Sequence, residues 1–222
     1  MKKVLKLLAG IFLIGMALIV FLAILRQENY PSEMKKTVQN DKLAAYYTEQ
    51  GSVPEAFTHD PIDKFDYVGN IQAKHLTYIP AIDQVQISVR YGTVAFENMA
   101  DKYELPAIPA LGDDSVRFRL RAMKLTDTAF STDDKNITEE DILEQEYFAA
   151  SVDVEKISGT HEYHRFVYDG VDLDRFNCLY LEMYYSDNDK AFTSIIIYHA
   201  DVAKHSSESV KITPEDCGAP QK

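Results

Sequence analysis

Two histidines and a glutamate in the second half of the chain are residue types that bind zinc, but their spacing does not fit a zinc site. Residues 161–164 read HEYH, whereas the zinc motif HExxH places its two histidines one helical turn apart. In a strand, His161 and His164 point to opposite faces, because side chains alternate with a period of two. The pattern favours polar residues of a strand edge, and we predict no metal ligands here.

Aspartates are concentrated in a turn at residues 169–174, which read DGVDLD. Their carboxylates are hard oxygen ligands of the kind that Ca²⁺ prefers. The turn lacks the DxDxDG loop with a glutamate at its twelfth position, and turn aspartates commonly hydrogen-bond to nearby backbone. Calcium binding is therefore an alternative to ordinary turn chemistry. A second acidic cluster, equally unspecific, contains Asp133, Asp134, Glu139, Glu140 and Asp141.

Three arginines alternate along one stretch of the chain. Arg117, Arg119 and Arg121 point to the same face if this stretch is a strand. With Arg90 on a neighbouring strand, the four form a basic stripe, and such a stripe can bind an anion or an acidic partner. We favour the simpler interpretation, in which the arginines pair with acids on adjacent strands.

The chain contains no motif that specifies catalysis or nucleotide binding. GxSxG, the P-loop and GxGxxG are absent, and neither cysteine has a histidine close to it in sequence. We therefore assign no catalytic residue and no cofactor, and we expect a protein that is not an enzyme. An enzyme would require dispersed groups such as His75, His161 and His199 to converge in one cleft.

Only two cysteines occur, Cys178 and Cys217. Small secreted domains that depend on disulfides need several bridges, so that class is excluded. One disulfide between the two is possible in an oxidising compartment. The alternative is two unpaired thiols, with Cys178 buried as a small apolar residue in a strand.

The charge of the chain argues against nucleic acid as a partner. Its 23 basic and 35 acidic residues give a net charge of −12. Four of the basic residues and none of the acids lie in the first 26 residues, so residues 27–222 carry 19 basic against 35 acidic side chains, a net of −16. Such a surface repels phosphate backbones.

The N-terminal segment predicts a membrane anchor. Residues 7–25 read LLAGIFLIGMALIVFLAIL, 19 residues without a charge, amide or hydroxyl group. As a helix this run is about 28 Å long, close to the roughly 30 Å thickness of the hydrocarbon core. Thirteen of its residues are Leu, Ile, Val or Phe, which favour insertion near the centre of the bilayer. We expect residues 7–25 to contact the lipid bilayer as a single-pass signal-anchor.

A cleaved signal peptide is the competing interpretation of this segment. Its apolar stretch is usually about 7 to 15 residues long and ends in a small-x-small site. The run here is longer, and residues 23–26 contain no such site. Long segments are translocated largely regardless of charge, whereas a short tail with three lysines is suited to staying inside. We therefore expect the N-terminus in the cytoplasm and the C-terminal domain outside it.

After the anchor, residues 32–50 have features of a second helix. Pro31 interrupts the first helix, Ser32 is a candidate N-cap, and Gly51 is a natural C-terminal stop. The apolar residues follow helical spacing imperfectly. We predict a short juxtamembrane helix or stalk.

From about residue 66 the apolar pattern changes to a period of two. Residues 84–91 read QVQISVRY, and residues 116–122 read VRFRLRA, both alternating as half-buried strands do. Around residue 138 a capping-box pattern predicts a short helix in a connection, and residues 94–112 predict a one-turn helix and a loop. Further strands are predicted at 67–79, 148–157, 164–168, 178–185 and 192–198.

These elements together predict a mainly β protein, an antiparallel β-sandwich of immunoglobulin-like or jelly-roll type, after one transmembrane helix and a juxtamembrane helix. The expected division is residues 1–26 for cytoplasmic tail and anchor, 27–60 for the stalk, 61–203 for the sandwich and 204–222 for a flexible tail. The expected function is protein–protein interaction or envelope assembly by the extracytoplasmic sandwich. A small-ligand or calcium-dependent binding module is the alternative.

Overall fold

The computed structural model describes residues 10–22, 32–61, 72–92, 116–124, 143–158, 161–185, 191–203 and 208–218. The chain divides into two compact units, Met1–Glu33 and Met34–Lys222. The predicted connections around 94–112 and 133–141 lie outside the described residues.

Residues 10–22 form a helix, α1, which is apolar around its circumference. Its large apolar side chains are more than two-fifths exposed, from Met16 at 46% to Ile14 at 71%. In the described part of the chain, no helix has both the length and the hydropathy needed to cross a membrane. The described part of α1 covers only thirteen residues of the apolar run.

The described residues of the second unit form ten strands in two antiparallel sheets, so the expectation of a mainly β protein with two packed sheets is confirmed. The first sheet has six strands in the order β10-β1-β2-β3-β7-β6, and the second has four in the order β5-β4-β8-β9. The strands are β1 (Ala56–His59), β2 (Gln72–Ile79), β3 (Gln84–Gly92), β4 (Val116–Lys124), β5 (Leu143–Phe148), β6 (Ser151–Ser158), β7 (His161–Asp169), β8 (Cys178–Tyr185), β9 (Ala191–His199) and β10 (Glu208–Val210).

The core lies between the two sheets and follows the alternation seen in the sequence. On β3 the apolar Val85, Ile87 and Val89 face the core, and on β4 Phe118 and Leu120 do so from the other sheet. Aromatic packing joins the sheets, since the ring centroids of Phe118 on β4 and Phe166 on β7 lie 4.8 Å apart. The polar residues between the apolar ones therefore form the outer faces of the sandwich.

The predicted helix over 32–50 is correct in its second half and wrong in its first. A short 3-10 helix covers Ser32–Lys35, residues 37–40 are irregular, and α2 spans Asp41–Gln50. The N-cap is Asn40 rather than Ser32, because the Asn40 side chain accepts a hydrogen bond from the backbone N–H of Leu43. Gly51 ends α2 in the left-handed conformation at φ 66°, as predicted.

The first sheet extends beyond the predicted limits of the sandwich, 61–203. β1 lies in the region predicted as a stalk, and β10 lies in the region predicted as a flexible tail. The two strands pair with each other, Ala56 opposite Val210. A second small core of Leu43, Ala56, Ile79, Ile212 and Cys217 packs α2 and the C-terminal segment against the sheet. Ile212 and Cys217 of residues 208–218 are buried there, and the polar composition of the segment gives no sign of this burial.

One further helix, α3, spans Ala200–Ala203 after β9.

Candidate functional site

The outer face of the second sheet carries a network of charged side chains, which we call the charged face: Arg119, Arg121, Glu144, Glu146 and Glu182. Glu182 on β8 is buried, and its two oxygens bind two of the arginines of β4. Arg119 Nε donates to one oxygen at 2.7 Å, and Arg121 Nη1 donates to the other at 3.1 Å. A buried carboxylate is tolerated here because both of its oxygens have a cationic partner.

The edge strand β5 supplies the outer acids of the charged face. Arg121 binds Glu144 through two nitrogens, with Nη2 at 2.8 Å from Oε2, and Arg119 Nη1 lies 2.9 Å from Glu146. The contact with Glu144, together with the contact to Glu182, raises the pKa of the Arg121 guanidinium. The arginines therefore bind acids of the neighbouring strands, as the simpler interpretation of the stripe predicts.

The structure does not bring all four arginines of the predicted stripe together. Arg117, Arg119 and Arg121 share β4, with Arg117 exposed at one end. Arg90 is buried on β3, which belongs to the first sheet. β3 and β4 are consecutive strands along the chain but belong to different sheets, so the four arginines do not form one stripe.

Next to the charged face lies an exposed aromatic ring, Phe148. It ends β5 directly opposite Arg119 and is 59% exposed. Of the exposed large apolar side chains in the described ranges, it is the one outside α1. Arginine beside an aromatic residue is a combination enriched at protein interfaces.

The outer face of the first sheet is covered by the chain segment that precedes α2. We call this segment, residues 34–40, the strap. Its backbone pairs with a row of polar side chains on β3: Val38 N donates to Gln86 Oε1 at 2.6 Å, and Gln86 Nε2 donates back to Val38 O at 3.1 Å. Ser88 Oγ donates to Met34 O at 2.8 Å. Met34 and Val38 are buried by this docking.

The strap is fixed at its C-terminal end by a chain of side-chain amides. Asn40 and Gln84 exchange two hydrogen bonds, at 3.0 and 3.1 Å. Gln84 also donates to Asp169 at 2.8 Å and accepts from Gln86 at 2.8 Å. Buried amides that are satisfied in this way fix one geometry of the strap.

A small cavity, open to solvent, lies between the strap and the first sheet. Lys36, His75, Ser88 and Arg165 are among its lining residues. Burial lowers the pKa of His75, and the positive charge of Lys35 lowers it further, while Asp60 acts in the opposite direction. The imidazole is therefore neutral at pH 7.

Two other histidines are buried on the sheets. His164, stacked on Phe166 at 6.0 Å between ring centroids, has its pKa lowered to about 4 by burial. His59 packs edge-on against Tyr198 of the second sheet at 5.4 Å, and burial lowers its pKa as well. Both are neutral aromatic components of the packing at pH 7.

The cysteines of the predicted disulfide are both free and buried. Cys178 begins β8 in the second sheet, whereas Cys217 packs in the small core beside Leu43. Burial raises the pKa of each thiol. Of the two alternatives, the structure has the unpaired thiols.

The aspartates of the 169–174 turn satisfy backbone and side-chain donors. Asp172 Oδ1 accepts from the backbone N–H of Asp174 at 2.8 Å and from that of Arg175 at 3.2 Å. Asp169 accepts from Gln84 and lies 3.7 Å from Lys42. Within the described ranges, no group of three or more His, Cys, Asp or Glu side chains is arranged to bind a metal ion.

The histidines that an enzyme would need are distributed over both sheets. His75 lies on β2 of the first sheet, and His199 ends β9 of the second, 4.0 Å from Asp201. His161 begins β7 opposite Gly92. His75 and His199 therefore lie in different layers of the sandwich.

Comparisons of the chain with protein-family models, with curated proteins and with solved structures find no match. The site must therefore be interpreted from its own geometry.

Sequence reasoning identified the arginines of β4 and the strand that carries Glu182, but not that Glu182 binds them. It also missed the strap. Residues 84–88 contained a signal for the strap, because Gln84, Gln86 and Ser88 alternate with apolar residues. The amide and hydroxyl groups of these side chains can hydrogen-bond to the backbone of a second segment, as they do here.

Proposed function

We propose that the chain is a single-pass membrane-anchored protein whose extracytoplasmic β-sandwich binds another protein. The observation that carries the proposal is the distribution of exposed apolar surface. Ten of the exposed large apolar side chains lie within residues 11–22, and Phe148 is the one found elsewhere among the described residues. A helix that is apolar on all sides needs lipid or protein around it.

The anchor is supported by the sequence around α1. The described helix lies inside the 19-residue apolar run 7–25, with Lys6 and Arg26 placed to reach the two interfaces. Three lysines before the run favour a cytoplasmic N-terminus, which puts the sandwich outside the cytoplasm. The lipid bilayer is thus the first proposed partner, through residues 7–25.

We propose that the sandwich is of the immunoglobulin-like type rather than a jelly-roll. In immunoglobulin domains, strands A-B-E-D form one sheet and C′-C-F-G the other. The strand orders β2-β3-β7-β6 and β5-β4-β8-β9 correspond to these when β2 is taken as A and the others follow in chain order. β1 and β10 are then additions at the A edge. Sandwiches of this type commonly present sheet faces and loops to partners.

The charged face is the proposed protein-binding surface. Its arginines and acids are fixed in a rigid sheet by mutual ion pairs, and exposed Phe148 at its border offers an apolar anchor. Fixed polar groups around one aromatic residue form the usual composition of an interaction hot spot. The partner would place an apolar pocket over Phe148 and hydrogen-bonding groups over Glu144 and Glu146.

The topology is tested by membrane fractionation and protease protection. Full-length protein should sediment with membranes after a high-salt wash and be released by detergent. In sealed cells an external protease should reach a C-terminal tag but not an N-terminal one. Recovery of the protein in the soluble fraction, or a mature N-terminus after Arg26, would refute the anchor.

The binding surface is tested by crosslinking in intact membranes. A photoreactive amino acid at position 117, exposed on the same face of β4 as Arg119 and Arg121, should yield a discrete crosslinked partner by mass spectrometry. Phe148→Ser should reduce that crosslink at least fivefold, since an aromatic hot-spot residue contributes about 1–3 kcal/mol. The matched control Glu208→Ala, exposed on the first sheet, should leave it unchanged. Equal crosslinking in wild type and Phe148→Ser would refute this surface.

A further inference from the structure

The strap lies directly over the imidazole of His75, which gains a positive charge when it is protonated. His75 and the strap residue Lys36 line the same cavity, and His75 lies opposite Ser88, which holds the backbone of Met34. A charge that appears on His75 therefore appears beneath the docked strap.

One cation of the strap acts on His75. Lys35 belongs to the segment that docks over the ring, and its positive charge lowers the pKa of the imidazole. Lys36 of the strap and Arg165 on β7 line the same cavity. Docking of the strap thus brings Lys35 close enough to disfavour a positive charge on the imidazole.

Asp60, after β1, acts in the opposite direction and favours the charged imidazole. Thr58 Oγ1 lies 3.0 Å from His75 Nε2 and 3.3 Å from His75 Nδ1. The Thr58 hydroxyl donates its own hydrogen to the Leu76 carbonyl, so its oxygen can accept from a ring N–H, which the neutral imidazole has. The neutral form therefore already has its hydrogen bond.

We propose that the strap is an acid-released latch, in which protonation of His75 detaches residues 34–40 from the outer face of the first sheet. The inference concerns the sandwich alone and is independent of the proposed anchor and binding surface.

Linkage gives the direction of the effect. In the docked state the pKa of His75 is lowered, by burial and by Lys35, below the ordinary value of 6.5. In the detached state the ring is exposed and Lys35 moves away, so the ring takes up a proton near pH 6.5. The free energy that favours the docked strap is therefore fully present above pH 6.5 and decreases as the pH falls below that value. With one proton involved, the ratio of docked to detached strap falls by up to about tenfold per pH unit.

Detachment would uncover a row of hydrogen-bonding side chains on β3. Gln84, Gln86 and Ser88 now bind the strap, and without it they face solvent with the spacing of an extended strand. The same step frees the chain before α2 from the sheet.

Hydrogen exchange of the full-length protein in detergent micelles tests the latch. The backbone N–H of Val38 donates to Gln86, so its protection reports docking. After correction for intrinsic exchange rates, protection of residues 34–40 should fall by up to about tenfold between pH 6.5 and 5.5. Protection of β8 should not change over this range.

Three variants separate the latch from a general effect of acid. His75→Gln keeps an N–H donor for Thr58 without a charge and should remove the pH dependence. Lys35→Gln, an exposed substitution, should reduce it, and it remains informative if His75→Gln does not fold. His199→Gln on β9 is the matched control and should behave as wild type. Protection of the wild-type strap that is constant with pH, or an undiminished fall in His75→Gln or in Lys35→Gln, would overturn the proposal.

Discussion

At the scale of single residues, buried Glu182 determines the geometry of the charged face. It lies between two arginines of the neighbouring strand and binds one with each oxygen. The alternating arginines were visible in the sequence, and the favoured interpretation paired them with acids on adjacent strands. Which acid binds them depends on the register of β4 against β8, a pairing of residues about 60 apart in the chain that local patterns do not encode.

We predict that Glu182→Gln lowers the free energy of unfolding by about 2 kcal/mol, because two arginines lose a shared buried carboxylate. Glu144→Gln, at an exposed ion pair, should lower it by about 0.5 kcal/mol or less. Urea titration at pH 7 measures both. Equal effects of the two substitutions would show that burial of Glu182 has no energetic consequence.

The free thiols give a second prediction at this scale. Because Cys178 and Cys217 are buried and their thiol pKa values are raised, both should react slowly with an alkylating reagent at pH 7.5 in the folded protein. In denaturant without a reductant, both should react rapidly, giving two labels per chain by mass spectrometry. Zero labels under those conditions would instead establish a disulfide.

At the scale of elements, the sequence predicted the seven longer strands of the described residues, each of eight or nine residues. β3 and β4 were recognisable because each has one apolar and one polar face, and β8 and β9 because they are rich in aromatic and β-branched residues. β1 and β10 were missed, since strands of four and three residues are too short for a periodic signal. β5 was missed as well, because Glu144 and Glu146 resemble a solvated helix until their arginine partners are known.

The end of α2 provides a clean test of backbone conformation. Gly51 has φ 66°, and a Cβ added there would meet no atom within 4 Å. Gly51→Ala should therefore lower the free energy of unfolding by about 1 kcal/mol through backbone strain alone. Gly51→Asn should cost less, because asparagine adopts the left-handed conformation more readily. If thermal unfolding shows the alanine variant to be as stable as wild type, α2 does not end in this conformation.

At the scale of the whole molecule, the strap makes the region before α2 part of the sandwich. The sequence predicted residues 27–60 as a separate stalk, because their polarity and irregular spacing give no sign of burial. The buried side chains Met34, Val38 and Leu43 do not form one helical stripe, because Leu43 comes five residues after Val38 and would lie on the opposite side of a helix from Met34. Their burial depends on amides of β3, which no local pattern connects to them.

Truncation tests this assignment. A chain that starts at Met34 should unfold at the same temperature as one that starts at Ser32, since the compact unit begins there. A chain that starts at Asp41 should unfold roughly 5 °C lower, because the outer face of β3 loses the two buried apolar side chains of the strap and its hydrogen bonds. Identical melting of the chains from Met34 and Asp41 would show that the strap contributes nothing to the sandwich.

The pairing of β1 with β10 determines how the sandwich responds to mechanical load. Ala56 and Val210 are partners in the register, so the segment that enters the sheet and the segment that leaves it meet at the same end of one short ladder. A force that pulls these two points apart acts across the ladder and breaks its bonds one after another, as in a zipper, rather than shearing them together. Tension applied there should peel off β10 at low force while the eight inner strands remain folded.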